Sequence, residues 1–463
     1  MVEMRLVVIG GVAAGTKAAS RARRIDPDLE ITIYQEEPEI SQSECGLPYL
    51  ISGVVGDRDH LVARTPEKFA EKDVEVFIRH RVEKMDPEQK KLVVRNLTTG
   101  EEFEDSYDRL IIATGARSVL LPIDGADLDG VFSLRFLTDT DKICGFVKER
   151  SAKKAAIIGG GYIGLEMAEN LVELGMEVSL YEAMERVGGI YSPEVSEKIA
   201  EQLEENGVRI FTDAQIEAFV GDDEGRIRAV RFADEEVETE LVIVAVGAEP
   251  EVTLAEEAGA KIGPSNAIQV DKHLKTNLPD VWAAGDCVES VHLVSGEPGW
   301  EPLGDTANQM GRVAGTNAGR GEDVLEFSGI LNTGVFKVFD IAVAKTGLSE
   351  KEAEEAGFEV VAASVESVSK AGYYPGGQSA FIKLVADQAT GRLLGAETVG
   401  GNADKYVDIC ATAIWGKLSY PDLVNLDLAY APPFGPTLSP VIAAASVLAN
   451  EFEKETEGVR ALE

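Results

Sequence analysis

The stretch of residues 41–49 holds one cysteine in a setting that could support sulfur chemistry. Cys45 follows a predicted strand over residues 31–35 and precedes a short apolar helical run that ends near Gly53. Pro48 suits the first turn of that helix, because its missing N–H has no partner there anyway. A helix start offers unpaired N–H groups and partial positive charge, which favour the nucleophilic thiolate. A lone cysteine is more often a small buried hydrophobe, so a chemical role requires support from the surrounding elements.

Composition limits the class of protein and of partner. The 463 residues predict roughly three domains, and the 44% hydrophobic fraction is enough for several cores. No apolar run of about 18 residues is present, so we expect no spanning helix. The net charge of −37 repels nucleic acid and anionic membrane surfaces, so we expect neither as a partner.

The cysteines and the N-terminus predict a cytoplasmic protein. The four cysteines are far apart and form no CxxC pair, which argues against a disulfide framework and against a zinc ribbon. No basic segment followed by an apolar one precedes the first predicted strand, so we expect no export signal. We therefore expect a reducing compartment and no bound metal.

A first strand–turn–helix pattern is a weak indication of dinucleotide binding. The turn of residues 10–15 reads GGVAAG, and it follows a predicted strand over residues 6–9. A dinucleotide fingerprint has glycine at its first, third and sixth positions, and Val12 occupies the third here. The next predicted strand ends beside two side chains that could bind ribose hydroxyls, Gln35 and Glu36, and the choice between them stays open.

A second pattern gives a complete fingerprint. The turn of residues 159–164 reads GGGYIG, with glycine at all three required positions. Glu182 ends the following strand, 23 residues after Gly159, where an acid accepts hydrogen bonds from an adenosine ribose. A carboxylate repels a 2′-phosphate, so NADH is favoured over NADPH, although nearby Arg186 weakens that preference.

Two such units predict two bound cofactors, or one cofactor and one dinucleotide substrate. After Gly321 the pattern changes to antiparallel strands and amphipathic helices without a cofactor motif, which is typical of an α+β interface domain.

These motifs, in this order, resemble the flavin-dependent pyridine nucleotide–disulfide oxidoreductases over essentially the full length of the chain. The similar branch uses a single cysteine and contains coenzyme A disulfide reductase, NADH oxidase and peroxidase, and NADH-dependent persulfide reductase. The matching segments are residues 10–15, 41–49, 113–115, 159–166, 285–287, 373–376 and 428–435.

The resemblance implies an α/β fold with two Rossmann-like domains and a C-terminal dimerisation domain. FAD would bind a discontinuous domain of residues 1–115 and 248–325, NAD(P)H would bind residues 116–247, and residues 326–463 would form the interface domain. The implied FAD contacts are Gly10, Gly11, Ala14, Gly15, Gln35, Glu36, Thr114, Gly115, Asp286, Ala307 and Phe434. The implied NAD(P)H contacts are Gly159, Gly161, Tyr162, Ile163, Gly164, Glu166, Glu182 and Gly247.

The resemblance also implies a reaction centre shared between two subunits. Cys45 carries over as the redox cysteine beside the flavin, with Ser41 in the same motif. Tyr373 and Tyr430 match tyrosines that reach the substrate pocket from the partner chain of a homodimer, although either could simply pack at the interface. Candidate contacts to a phosphate-rich substrate such as coenzyme A are Lys17, Arg21, Arg24 and Asn308, and the three cations could equally form a solvated basic face.

Four residues depart from the pattern of the branch. The oxidases and peroxidases carry a histidine where this chain has Ala13, which argues against the oxidase and peroxidase interpretations. Gln42 replaces an aromatic residue that is usual in the coenzyme A reductases, and Gln309 stands where relatives often have an arginine. Glu44 adjoins Cys45 and should oppose the thiolate if its carboxylate points inward.

The implied function is NAD(P)H-dependent, FAD-mediated reduction of a disulfide, persulfide or polysulfide, with coenzyme A derivatives preferred as small-molecule substrates. The Cys45 thiolate attacks sulfur and forms a mixed disulfide, and Tyr373 or Tyr430 protonates or orients the leaving sulfur. Two alternatives stay open. One is an NADH oxidase that cycles Cys45 through sulfenic acid, and the other is a flavoprotein electron carrier with little turnover of its own.

Overall fold

The computed structural model describes residues 4–460, with side chains described through Lys454. The first segment contains β1 (Arg5–Ile9), α1 (Ala13–Ile25), β2 (Glu30–Gln35), a 3₁₀ turn (Glu44–Gly46), α2 (Leu47–Ile51), a second 3₁₀ turn (Arg58–Leu61), α3 (Pro66–Ala70), β3 (Val74–Ile78), β4 (His80–Asp86), β5 (Lys91–Asn96), β6 (Glu102–Ser106), β7 (Arg109–Ile112) and β8 (Ala116–Ser118).

The second segment repeats the alternation of strands and helices. It contains β9 (Val131–Ser133), α4 (Leu137–Arg150), β10 (Lys154–Ile158), α5 (Tyr162–Glu173), β11 (Glu177–Tyr181), α6 (Pro193–Glu205), β12 (Arg209–Phe211), β13 (Ile216–Gly221), β14 (Ile227–Phe232), β15 (Glu235–Glu238), β16 (Leu241–Val244) and β17 (Ala248–Pro250).

The remaining chain returns to the first unit and then forms the C-terminal domain. The elements of the return are α7 (Thr253–Glu257), β18 (Val281–Ala283), β19 (Ser290–Val291), β20 (Pro298–Gly299) and α8 (Gly304–Arg320). Those of the C-terminal domain are β21 (Gly334–Val338), β22 (Ile341–Gly347), α9 (Glu350–Glu355), β23 (Val360–Val368), β24 (Ser379–Asp387), β25 (Leu393–Gly400), α10 (Ala403–Trp415), α11 (Tyr420–Val424) and α12 (Pro440–Arg460).

Two parallel sheets have the same plan. The first has the order β18-β7-β1-β2-β3 and the second the order β12-β11-β10-β16-β9. Their central strands, β1 and β10, are buried nearly throughout, as the apolar runs that predicted them require of a parallel sheet covered on both faces. Each central strand leads through a glycine turn into a helix, so the predicted α/β class with two Rossmann-like units is confirmed.

The C-terminal domain is an antiparallel sheet of order β21-β22-β25-β24-β23, with α10 and α12 packed on it. Ser349 followed three residues later by Glu352 predicts a capping box at the start of a helix. Helix α9 begins with it, since Glu352 N donates to Ser349 Oγ at 3.3 Å and Ser349 N donates to Glu352 Oε2 at 2.7 Å. Between Met4 and Arg460, no helix is both long and apolar enough to cross a membrane.

The first sheet combines strands that precede the second unit in the chain, β1, β2, β3 and β7, with one that follows it, β18. Strands β8 and β17 pair antiparallel and connect the two units, because the chain leaves the first unit through β8 and returns through β17. The domain boundaries at residues 115 and 248 stay a prediction.

Helices α1 and α8 of the first unit pack closely against each other. Three glycines of α8, spaced four residues apart, face three alanines of α1; these are Gly311, Gly315 and Gly319 against Ala14, Ala18 and Ala22. A Cβ added at Gly315 would lie 2.3 Å from Ala18 O, so these backbones approach more closely than any larger residue allows. Both helices begin at the large cavity described below, so this contact sets the separation of two of its walls.

We therefore expect Gly315→Val to destabilise the protein by about 3 kcal/mol, because the added atoms must push α8 away from α1. Thermal unfolding measured by calorimetry would give the difference. Gly145→Ala is the matched control, since a Cβ at Gly145, within α4, meets no atom within 4 Å. That control should be stabilised by about 0.5–1 kcal/mol through helix propensity. Equal melting temperatures for Gly315→Val and the native protein would contradict the packing described here.

Candidate active site

One cavity of about 1750 Å³ extends past both glycine turns and the cysteine loop. Ligand sites for one small molecule are usually about 300–1000 Å³, so this space fits more than one ligand. The predicted site residues that line it are Gly10, Ala14, Gln35, Glu36, Ser41, Cys45, Thr114, Gly115, Gly159, Gly161, Tyr162, Ile163, Glu166, Glu182, Gly247, Asp286, Ala307 and Asn308. Gly11, Gly15 and Gly164 lie within the turns themselves and do not line the cavity.

The glycine turns fit the approach of a dinucleotide backbone. A Cβ at Gly15 would lie 1.9 Å from Gly10 O, and one at Gly164 would lie 1.9 Å from Gly159 O, so both helix starts require glycine. In contrast, a Cβ at Gly161 would meet no atom within 4 Å, and Gly161 lines the cavity. That open space is where a dinucleotide phosphate can approach the start of α5.

The first turn differs at the third position. Val12 stands where the second turn has Gly161, so a side chain lines the cavity at this position. The chain therefore retains the tight turn and the close helix packing there without the third glycine of the fingerprint.

The two turns are held by equivalent contacts. Gly11 N donates to Gln35 Oε1 at 2.6 Å, and Gly160 N donates to Glu182 Oε2 at 2.7 Å. Gln35 therefore occupies the place in the first unit that Glu182 occupies in the second. Glu36 lies one residue further on, lines the cavity, and is paired with Arg81. Which of Gln35 and Glu36 binds a ribose stays a prediction.

The cysteine loop is attached to both units by its flanking residues. Leu137 N, at the start of α4, donates to Gln42 Oε1 at 3.2 Å, which gives a structural reason for a residue that the sequence left unexplained. Ser43 N donates to Leu61 O at 2.7 Å, and Ala63 N donates to Ser41 O at 3.0 Å. The loop is thus fixed before Cys45 and presents the thiol to the cavity.

Negative charge surrounds Cys45. The pKa of its thiol is raised by burial, then by the carboxylates of Glu166, Glu44 and Asp286, and is lowered by Arg135. The sequence predicts a helix start that favours the thiolate. In the structure Cys45 lies in a 3₁₀ turn before a five-residue helix, and the pKa of its thiol is raised by burial and by neighbouring carboxylates.

Arg135 bridges the cysteine loop and the strand end that carries Asp286. Its Nη2 donates to Asp286 Oδ2 at 2.8 Å and pairs with Glu44 Oε2 at 3.3 Å. The guanidinium is largely buried, with 17% of the side chain exposed. Since Arg135 follows β9 of the second unit, one residue balances charges contributed by separate parts of the chain.

A second carboxyl group lies on the other side of the cysteine loop. Tyr49 Oη donates to Glu166 Oε1 at 3.3 Å, and Ser52 Oγ donates to Asn170 Oδ1 at 2.5 Å. Burial raises the pKa of Glu166 to about 7, and the hydrogen bond from Tyr49 lowers it in part. These contacts join α2, which follows Cys45, to α5, which follows the second glycine turn.

The predicted aromatic residues of the C-terminal domain do not line the cavity. The hydroxyls of Tyr373 and Tyr430 are hydrogen-bonded to each other, and 78% of Tyr373 and 47% of Tyr430 are exposed. Phe434 is 69% exposed on the same domain. Within one subunit these three side chains therefore stand on the surface, apart from Cys45.

The predicted substrate cations lie at another part of the first unit. Arg21 Nε donates to Thr316 Oγ1 at 2.9 Å, and Lys17 stands one turn earlier on α1. Arg24 lines a small cavity together with Arg23, Arg64, Lys72, Ser20, Phe69 and Val74. Arg64 also lines the large cavity, so it connects the basic cluster with the space that holds Cys45.

Sequence reasoning missed three residues of the site: Arg135, Arg64 and Tyr49. Tyr49 lay inside the recognised motif but was given no role. Arg135 and Arg64 follow short strands or turns without a motif of their own, and their place beside the cavity depends on tertiary packing.

Comparisons with known proteins agree with this geometry. Residues 4–310 match the family described as pyridine nucleotide-disulphide oxidoreductase, and residues 334–441 match the dimerisation domain of that family. The chain is 35% identical over 452 residues to an "NAD(P)H sulfur oxidoreductase (CoA-dependent)" of Pyrococcus furiosus, covering 97% of this chain and 100% of that one.

Two further relatives are named for different activities. An "NADH oxidase" of Methanocaldococcus jannaschii is 34% identical over 445 residues, covering 96% of this chain and 98% of that one. The solved structure of a NAD-dependent persulfide reductase from A. fulgidus superposes with a TM-score of 0.93 and 38% identity, covering 98% of this chain and 84% of that chain.

We expect Arg135→Gln to lower the rate at which iodoacetamide alkylates Cys45 at pH 7 by about an order of magnitude. Arg135 lowers the pKa of Cys45, so its loss raises that pKa further and reduces the thiolate fraction at neutral pH. The two rates should converge as the pH rises above both thiol pKa values. Mass spectrometry of the Cys45 peptide against time gives the rates.

Arg150→Gln is the control, because Arg150 pairs with Asp129 at 3.5 Å on an exposed surface outside the cavity. An Arg135→Gln enzyme alkylated as fast as the native one at pH 7 would mean that Arg135 has no influence on the thiolate.

Proposed function

Because the chain belongs to the pyridine nucleotide-disulphide oxidoreductase family, which uses FAD and NAD(P)H, we propose that it reduces sulfur substrates through Cys45. The substrates are disulfides or persulfides of coenzyme A, and NADH is the preferred donor. The observation that carries the proposal is the single cavity that joins both glycine turns to Cys45.

The residues of the first unit would hold FAD. The turn at Gly10, the strand ends at Gly115 and Asp286, and the start of α8 at Ala307 line one side of the cavity. When bound there, the flavin supplies two-electron transfer between a nicotinamide and sulfur. The chain's own part is to bind the two dinucleotides, to position the Cys45 sulfur and to exclude water from the space between them.

The second unit would hold NADH with its own turn and acid. Gly159, Gly161 and Gly247 line the cavity without side chains, and Glu182 stands at its edge. Glu182 accepts from Gly160 N and from Met184 N, so its carboxylate is fixed at the place where an adenosine ribose would lie. A fixed negative charge there disfavours the 2′-phosphate of NADPH.

Cys45 would act as the sulfur nucleophile. Its thiolate attacks one sulfur of the substrate, the S–S bond of the substrate breaks, and a mixed disulfide forms on Cys45. No second thiol lines the cavity among the described residues, so the resolving electrons come from NADH and not from another cysteine.

The basic cluster favours a phosphate-rich substrate. The chain has a net charge of −37, yet six neighbouring cations form no ion pair with any carboxylate between residues 4 and 454. They are Lys17, Arg21, Arg23, Arg24, Arg64 and Lys72. Coenzyme A carries several phosphate charges on a long flexible arm, so this cluster can hold the phosphates while the arm reaches Cys45 past Arg64.

A homodimer would complete each site. The dimerisation domain of residues 334–441 exposes Tyr373, Tyr430 and Phe434 on one surface, where the hydroxyls of the two tyrosines are paired. On this proposal the tyrosines of one subunit face the Cys45 pocket of the other and line the path of the substrate arm.

Oxygen reduction is the second candidate function, because a relative of 34% identity is an NADH oxidase. Ala13 argues against it, since it stands where the oxidase branch carries a histidine. Comparing NADH consumption with and without oxygen separates the two activities.

We expect Cys45→Ser to lower NADH-dependent reduction of coenzyme A disulfide, measured without oxygen, by at least about 10³-fold, because the hydroxyl cannot form the mixed disulfide. Cys144→Ser is the control and should retain full activity, since Cys144 lies on α4 outside the cavity. Turnover of coenzyme A disulfide, coenzyme A persulfide and polysulfide by Cys45→Ser at the native rate would rule out the proposal.

We expect the double variant Lys17→Gln, Arg24→Gln to raise KM for coenzyme A disulfide about tenfold, because two cations that meet phosphate are lost. Its kcat/KM for uncharged 2-hydroxyethyl disulfide should not change. Lys142→Gln, Arg150→Gln on α4 removes the same charge elsewhere and should leave both substrates unaffected. If the first variant loses the same factor on both disulfides, the cluster does not recognise phosphate.

A further inference from the structure

We propose that Glu44 is a catalytic acid that protonates the sulfur leaving the substrate when Cys45 attacks. The inference rests on the function proposed above, and it assigns a role to a side chain that departs from the branch. The expected proton donors, Tyr373 and Tyr430, do not line the cavity of their own subunit, and Glu44 does.

Glu44 precedes the reacting cysteine in the chain and lines the same cavity. Glu44 and Cys45 are neighbours in one 3₁₀ turn, and both line the cavity. Side chains of adjacent residues in a helical turn point in different directions, so the carboxyl group reaches the same space from another angle. A leaving sulfur lies one S–S bond, about 2 Å, beyond the sulfur that Cys45 attacks, within the cavity that both side chains line.

One oxygen of Glu44 is held and the other is free to act. Glu44 Oε2 pairs with Arg135 Nη2 at 3.3 Å, and the same Nη2 donates to Asp286 at 2.8 Å. The described residues provide no hydrogen bond to Glu44 Oε1. Arg135 therefore orients the carboxyl group and stabilises the carboxylate that remains after the proton has left.

The other carboxyl groups near Cys45 are engaged elsewhere. Glu166 accepts from Tyr49 Oη, and Asp286 accepts from Arg135. Glu37, which also lines the cavity, accepts from Thr138 Oγ1 at 3.1 Å. Glu44 differs from them in that it shares a 3₁₀ turn with Cys45.

The electrostatic surroundings suit a group that both gives and regains a proton. Burial raises the pKa of Glu44 to about 7, Arg135 lowers it, and Asp286 and Glu37 raise it. Near neutral pH both forms are therefore populated, which is the condition under which a general acid is most effective.

The Cys45 thiolate forms a new S–S bond to one substrate sulfur, the original S–S bond breaks, and its electron pair goes to the departing sulfur. The proton of the Glu44 carboxyl group moves to that sulfur and gives a neutral thiol, or hydrogen sulfide from a persulfide. Glu44 is left as a carboxylate paired with Arg135 and is reprotonated from water. The two electrons that later cleave the mixed disulfide come from NADH.

The test uses the flavin-loaded enzyme without NADH, so that only mixed-disulfide formation is observed. Two substrates differ in their leaving groups: coenzyme A disulfide releases a basic thiol, and the mixed disulfide of coenzyme A with 5-thio-2-nitrobenzoate releases a weakly basic thiolate that needs no proton. In stopped-flow experiments, Glu44→Gln should slow thiol release from the first by about 10²-fold. Release of thionitrobenzoate should change by less than about threefold, because a good leaving group requires no acid.

Two further variants sharpen the result. Glu39→Gln removes a carboxylate from the same loop, where Glu39 pairs with Arg58 at 2.6 Å outside the cavity, and should leave both rates unchanged. Glu44→Asp keeps the carboxyl group and should recover part of the lost rate with coenzyme A disulfide, which would show that the rate depends on the carboxyl group at this position.

Equal slowing with both leaving groups would overturn the inference, because Glu44 would then act on the structure of the loop or on Cys45 itself. An unchanged rate with coenzyme A disulfide would overturn it as well. If the native enzyme forms no mixed disulfide with either substrate, the proposed function fails, and that result is distinct from a failure of Glu44 alone.

Discussion

The charge balance around Cys45 depends on one guanidinium. Three carboxylates surround the thiol, and Arg135 is the cation that offsets them. It pairs with Glu44 of the cysteine loop and with Asp286 at the end of a strand of the first sheet, while it belongs itself to the second unit. Because charges in a largely buried place interact strongly, the relative position of the two units determines the reactivity of the cysteine. A small displacement between them would change the thiol and both acids together.

The same constraint explains how the loop is fixed. Gln42 accepts from the start of α4, and Tyr49 donates to Glu166 of α5, so each side of the cysteine is tied to an element of the second unit. These contacts hold the loop after β2 against helices α4 and α5. The result is a thiol held in the cavity that both glycine turns line.

The two units have the same arrangement of strand, turn and helix but differ in the residues around the turn. Gln35 and Glu182 make the same contact with the amide of the second glycine in each turn, at 2.6 and 2.7 Å. One is neutral and the other is charged, and only the second turn is open at its third position, where Gly161 stands in place of Val12. Equivalent backbones therefore present different electrostatics and different space, and the cations near Arg24 add a basic surface on the first unit.

The sequence alone determined the elements of this protein, because their signals are local. Apolar runs predicted the buried strands, glycine spacing predicted both turns, and Ser349 with Glu352 predicted the start of α9. The motif around Cys45 predicts a redox cysteine by resemblance. Only the tertiary structure decided which charges meet that residue. Arg135 lies 90 positions beyond Cys45 in the chain and 151 before Asp286, and no periodicity links the three. Long-range electrostatics depends on packing, so it became visible only when the two units were placed together.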